Sequence, residues 1–379
     1  MDITTLSAAA RRFPLLGRPR PACPPLPERV KEICEIASTA GQQGADVMHH
    51  AAHALNKAAL LASDCGLEDL ARDLCWQHIN LYRVAGLRLT VRQARYMLEP
   101  VLNLARLQIR ADAGGQALRL LEAMYQAVTA NTDLVVDRNT LPLANLTGTR
   151  QEHRNLREWV WMHYLADGIR ALALAGRWDD AVAHAEAHRG IGRHLMEGRQ
   201  ATIIAHCLHG ALPTARAVLA DSTPTQPWEH QVASCLNVMC ADPNRASISQ
   251  EVAAMVRHFL EQEPVPGYAV FRARLGLTVV SLAGAADPEA ADGVLARVTA
   301  EAIEAGDGYA ARDMLGYLST RTGLTNMQRD ALSELVTRSG LGSGTLPESL
   351  LNSLVNSAEV AKEALAASMV RPDRPAIRP

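Results

Sequence analysis

The chain has 379 residues, of which 48% are hydrophobic, 21% charged and only 4% aromatic, enough for one large domain or two to three ordinary ones with a buried core. Lys+Arg is 38 against Asp+Glu 40, and the net charge of -2 excludes the basic footprint of a nucleic-acid binder and a polybasic membrane anchor. No stretch approaches the roughly 18 apolar residues of a membrane span, and the beginning of the chain lacks the apolar core and cleavage site of a signal peptide, so a cytoplasmic location is expected.

Three lysines (Lys31, Lys57, Lys362) stand against 35 arginines, a bias associated with GC-rich bacterial coding sequences. Ala, Leu, Arg and Glu lose little side-chain freedom on a helix, whereas β-branched and aromatic residues are sparse, so the expectation is all-α. The seven cysteines are odd in number and form no Cys-x-x-Cys pair, which fits free, mostly buried thiols in a reducing compartment.

Residues 1–28 hold six prolines and several arginines with little apolar periodicity, and are expected to form a disordered arm. From Val30 the pattern is helical. Apolar residues recur at three- and four-residue steps over 45–63, Gly66 interrupts them, and a second helix follows over 68–84. Further pairs are expected at 91–111 with 115–130, 154–175 with 178–190, and 195–209 with 212–220. After a break at 223–227 come helices at 228–241, 248–262, 268–284, 288–305, 307–321, 325–338 and 346–369. Residues 131–150 form the longest irregular piece. The domain scheme is thus a disordered arm at 1–28, clear helix pairs over 29–222 with a long loop at 131–150, weaker pairs over 223–345, a capping helix at 346–370 and a disordered tail at 371–379.

The turns share one pattern. Gly66-x4-Ala71, Gly176-x4-Ala181 and Gly210-x4-Ala215 have the same spacing, and the last two glycines lie 34 residues apart. A 34-residue helix–turn–helix period with these features resembles the tetratricopeptide repeat family, with Gly176-Arg177-Trp178-Asp179-Asp180-Ala181 as its best match. The resemblance covers roughly residues 45–340, with clear motifs in 45–222, and Asp112 stands where the second turn glycine would fall. It implies antiparallel helix pairs stacked as a right-handed solenoid, with the first helix of each pair lining a concave face.

Counting back from the turns gives the residues that such a face would present. They are His53, Asn56 and Lys57 in the first pair; Glu99, Asn103, Arg106 and Arg110 in the second; and His163, Asp167 and Arg170 in the third. Glu197 and Gln200 occupy the matching places of the fourth. Polar groups recurring on an Ala/Leu scaffold are what a binding groove requires. Trp159, Trp161 and Trp178 gather three of the five tryptophans. With Arg150, His153 and Arg154 just before, and the 131–150 loop adjoining, this is the first place to look for a pocket.

Recognisable catalytic chemistry is sparse. His49 and His53 lie one turn apart, as do His184 and His188, but no His-Glu-x-x-His pattern or third ligand is legible, and no metal or cofactor is expected. Gly190-Ile-Gly192 lacks the third glycine and preceding strand of a dinucleotide fold. Walker, Gly-x-Ser-x-Gly and kinase signatures are absent. Arg189, Arg193 and Arg199 with His188 and His194 read as a solvated connector.

The function expected is recognition of a peptide or protein partner in the concave groove, without direct contact to nucleic acid or membrane. Two alternatives remain open: a solenoid-scaffold enzyme acting on a peptide or small metabolite, and the ligand-sensing subunit of a regulator that lacks its own DNA-binding domain. The apolar stripe Leu350, Leu354, Ala358, Val360, Ala361 and Leu365 on the C-terminal helix is expected to cap the last repeat or to pair with a second copy.

Overall fold

The computed structural model describes residues 3–42, 46–84, 88–242, 248–318 and 325–370. Among them are seventeen helices and one two-stranded ribbon. In chain order these are α1 (Ile3–Ala10), α2 (Leu26–Ala40), α3 (Val47–Asp64), α4 (Glu68–Val84), α5 (Val91–Arg110), α6 (Gly114–Ala130), β1 (Leu134–Val136), β2 (Asn139–Leu141) and α7 (Arg150–Leu174). They continue with α8 (Trp178–Ala187), α9 (Glu197–Leu208), α10 (Leu212–Ala220), α11 (Pro227–Met239), α12 (Ile248–Glu261) and α13 (Ala269–Ala283). The last four are α14 (Pro288–Glu304), α15 (Gly308–Leu318), α16 (Asn326–Arg338) and α17 (Glu348–Val370). No helix of the described residues is long and apolar enough to cross a membrane.

The turns between helices repeat one geometry. Gly66, Gly176 and Gly210 take φ of 80°, 71° and 71°. The residue after each donates its N–H to the carbonyl five residues back: Leu67 to Ala62, Arg177 to Leu172 and Ala211 to His206, all at 2.9 Å. This left-handed closure satisfies carbonyls that a helix end would otherwise leave open, and glycine adopts it without a Cβ penalty. Asp112 takes φ of 58° in the same place, and Ala113 donates to Gln108 at 2.8 Å. A side chain held there costs roughly 1–2 kcal/mol. Gly306, between α14 and α15, also takes a positive φ, of 60°. Ala71, Ala117, Ala181, Ala215 and Ala311, each five residues past its turn residue, are fully buried, so the second helix meets its neighbour on a methyl group.

The chain forms two units that interleave in sequence. Unit 2 comprises residues 26–167 and 342–379, and unit 1 comprises 1–25 and 168–341. The boundary between the units falls inside α7, between Asp167 and Gly168.

In unit 2, α3 is the centre, packed by α2, α4, α5 and α17. Its buried residues Ala51, Ala52, Ala54, Ala58, Ala59 and Ala62 keep the helix thin enough for four neighbours. The C-terminal helix packs on α2, α3 and α4, the beginning of the helical array, rather than capping its end. Leu354, Ala358, Ala361 and Leu365 of its stripe are buried in this core, while Val360 is exposed. Burial of that stripe within the chain leaves little of it to pair with a second copy.

Residues 131–150, expected as a loop, contain a hairpin. Leu134 pairs with Leu141 and Val136 with Asn139, and Asp137 and Arg138 close the turn at φ of 47° and 66°, the two positive values a tight right-twisted hairpin needs. Asp133 Oδ1 accepts the N–H groups of Leu143 (3.1 Å) and Ala144 (2.9 Å). Thr147 is tied to Leu89 and Val91 through backbone bonds of 2.9 Å each. Local polar contacts thus order a segment without helical periodicity.

In unit 1, α13 is buried on every side from Val270 to Ala283 with one break at Arg274, the mark of a central helix, and α1, α11, α12, α14 and α15 pack on it. The arm expected to be disordered is built into this unit. Residues 3–10 form α1 against α9 and α13, and Phe13, Leu15 and Cys23 are buried. The backbone of Arg20 donates to Gly267 O (2.8 Å), and Cys23 O accepts from Gly308 N and Ser339 Oγ at 3.2 Å each. Proline removes helix propensity but leaves the extended chain free to bury its apolar side chains and bond through its remaining backbone groups. The expected tail, 371–379, lies outside the described residues.

Candidate functional site

Helices α3, α5 and the first part of α7 bring most of the expected groove residues onto one polar face of unit 2. Asn103, nearly buried, donates from its side-chain amide to Asn56 Oδ1. Arg106 donates through Nε (3.1 Å) and a terminal nitrogen (2.9 Å) to Asp167 Oδ2, and the same guanidinium lies 3.4 Å from His163 Nδ1. Burial works to raise the Asp167 pKa, but the neighbouring His163 and Arg106 outweigh it and hold the carboxyl below its ordinary range. Arg110 reaches back to Ser63 and, at 3.1 Å, to Asp64 Oδ1, whose other oxygen takes Arg29 at 2.6 Å.

The other end of this face is aromatic and titratable. The Trp159 ring meets His163 edge-on at 4.8 Å, and the Arg95 guanidinium sits 5.2 Å from its centroid. Glu99 is half-buried, with Arg95 at 3.9 Å. Its burial raises its pKa against the opposing charge of Arg95. His53 is exposed, and partial desolvation, then the charges of Lys57 and His49, lower its pKa. Lys57 pairs with Glu32. His49 Nδ1 lies 3.2 Å from the Tyr96 hydroxyl, and its ring centroid is 5.8 Å from that of His53. Among the described residues no three His, Cys, Asp or Glu side chains converge as metal ligands would. Trp161 is half-buried on α7. Arg170, exposed, follows Asp167 by three residues on α7 and belongs to unit 1.

The fourth-pair positions do something the sequence reading did not foresee. Gln200 is fully buried in unit 1; its Oε1 accepts the Leu15 N–H (2.8 Å), and its Nε2 donates to the carbonyls of Leu15 (2.7 Å) and Leu195 (2.6 Å). Glu197 takes Arg18 at 2.8 Å. A side-chain amide on the first helix of a pair therefore reads both backbone groups of one residue in an extended segment. The nearby basic stretch is structural. Arg199, buried, bonds Ser222, the carbonyls of Gly192 and Val218, and Asp221, while Arg193 also holds Asp221.

A second feature of unit 2 is a half-open cleft of about 440 Å3. It lies where α6 ends, beside Leu146 of the ordered loop and the first turns of α7, and it is lined by Arg150, His153, Arg154 and Arg157. The clustering of Arg150, His153 and Arg154 beside the loop was legible in the sequence. Arg157 joins them only once α7 is known to begin at Arg150, because it then falls on the same face. Comparison with protein-family models, curated proteins and solved structures finds no match.

Proposed function

We propose that this chain is a helical-repeat binding protein of tetratricopeptide-like helix pairs, stacked as a right-handed solenoid, that takes an extended peptide segment of a protein partner along the polar face of α3, α5 and α7. The observation that carries this reading is intramolecular: Gln200 holds both backbone groups of Leu15, and Glu197 takes the side chain of Arg18. Asn56 stands ten residues before its turn glycine as Gln200 does, and Glu99 and Glu197 both stand thirteen before their turn residues, with Asn103 four residues past Glu99. Asn56 and Asn103 supply amides for a peptide backbone, and Arg106, Lys57 and Glu99 supply charges for its side chains. Trp159, beneath Arg95, adds an amphipathic ring of the type that anchors peptides. The recurring turn geometry and buried alanines support equivalence between the pairs. The mechanism is recognition: backbone bonds contribute affinity, and flanking pockets select side chains.

A display library of random 12-residue peptides panned on the full chain tests this reading. Enriched peptides should lose about tenfold or more in affinity with Asn103→Ala/Arg106→Ala. The exposed pair His53→Ala/Arg95→Ala, which removes no buried group, should have the same effect. Failure of any peptide to enrich over bare support, or unchanged affinity in both variants, would overturn it.

A further inference from the structure

The cleft at the start of α7 lies apart from the contacts of the polar face and has a chemistry of its own. Its volume of about 440 Å3 falls within the roughly 300–1,000 Å3 of small-molecule sites. Arg150, His153, Arg154 and Arg157 line it at i, i+3, i+4 and i+7, the spacing of one helix face, within about 10 Å along the axis. Beside them Leu146 of the preceding loop and Leu156 of α7 itself, both buried, add apolar lining.

The arginines are conspicuous for what they do not do. Elsewhere in unit 2, Arg29, Arg92, Arg106 and Arg110 are each paired with an aspartate. Among the described residues, none of Arg150, Arg154 and Arg157 has a hydrogen-bond or ion-pair partner. No carboxylate lines the cleft. Glu152, the nearest in sequence, turns away to accept from Thr149 N (2.6 Å) and Oγ1 (2.8 Å), and those bonds lower its pKa. Three like charges on one helix face repel one another, and an anion between them relieves that repulsion. Guanidinium forks match the oxygens of phosphate two at a time, and the positive end of α7 adds to the field. Three cations with no internal counter-charge suit a dianion better than a monoanion.

From this geometry we infer that the cleft binds a small phosphomonoester bearing an apolar group, its phosphate on Arg150, Arg154 and Arg157 and its apolar part on Leu146 and Leu156. Isothermal titration of the full chain at fixed ionic strength, with phenyl phosphate, inorganic phosphate and benzoate as probes, tests this site independently of the peptide face. Phenyl phosphate should bind saturably at one site, more tightly than inorganic phosphate and far more tightly than benzoate. Arg154→Gln/Arg157→Gln should weaken phenyl phosphate about tenfold or more, with thermal melting and library-peptide binding unchanged. Absence of saturable binding, or equal binding by the variant, would overturn the site. Benzoate binding as tightly as phenyl phosphate would overturn the phosphate assignment, and inorganic phosphate doing so would overturn the apolar half.

Discussion

His78 offers the sharpest test of the physical account of unit 2. It stands on α4 with no solvent exposure, and neither ring nitrogen has a hydrogen-bond partner. Burial lowers its pKa from 6.5 to about 3, because a charged imidazolium without solvent or partner is heavily penalised. In the unfolded chain the ring returns to its ordinary value. Between these two pKa values the unfolded state carries a proton that the folded state refuses, so stability falls as pH drops. From pH 7 to pH 5 the unfolded side gains about 0.7 of a proton and the folded side almost none, a loss that integrates to about 2 kcal/mol. His78→Leu removes the titrating group together with its two unpaired ring nitrogens. At neutral pH the variant should be as stable as the parent or about 1 kcal/mol more so. At pH 5 its advantage should grow by about 2 kcal/mol. Carboxylates such as Asp167 titrate in both proteins and cancel in the difference. The assay is urea unfolding followed by tryptophan fluorescence at the two pH values. Parallel pH dependence in the two proteins would refute the reasoning, since it would mean that His78 protonates in the folded state as readily as in the unfolded.

Three further outcomes are expected. Asp167→Asn removes the negative charge that two Arg106 bonds are made to and should cost about 1–2 kcal/mol at neutral pH. Because the folded pKa of Asp167 is depressed, its contribution is present above the unfolded value and vanishes as pH falls through the folded one; urea unfolding at neutral pH and near pH 3 should show the difference closing. Gln200→Leu leaves the Leu15 N–H and C=O buried without their partner, a loss of about 2–3 kcal/mol seen as a lower melting temperature. Protease cleavage within residues 11–25 should rise with it, and unchanged cleavage would show that Gln200 does not hold the segment. Gly276→Ala places a Cβ 2.8 Å from Val298 Cγ2 and 3.0 Å from Phe259 Cζ, so overpacking should destabilise unit 1 by about 1–3 kcal/mol; calorimetry showing no change would mean that the α13–α14 contact yields.

Much of this protein is legible without coordinates. Helix positions follow from apolar residues three and four apart and from Gly-x4-Ala turns, and these are local properties. Asp112 could be counted as a turn residue because its neighbours kept the spacing, and it takes the left-handed φ that glycine takes elsewhere. Asn56, Asn103, Arg106, His163 and Asp167 could be placed on helix faces by the same regular spacing, but that Asn103 bonds Asn56 and Arg106 bonds Asp167 comes only from the folded chain. His78 is different. Nothing in Cys75-Trp76-Gln77-His78 marks its ring as buried, since that depends on which neighbours close over α4.

The sequence alone therefore determined the all-helical class, most of the helices and the row of polar positions, because backbone periodicity and turn chemistry act within about ten residues. Tertiary structure decided the rest. It set the Pro-rich segment into unit 1, where Leu15 bonds Gln200 across 185 positions, and it returned α17 to α2, α3 and α4. It also split the chain within α7. Such choices rest on apolar burial, which has no direction along the chain. A stripe of Leu and Ala states that it must be covered, and only the folded chain states by what.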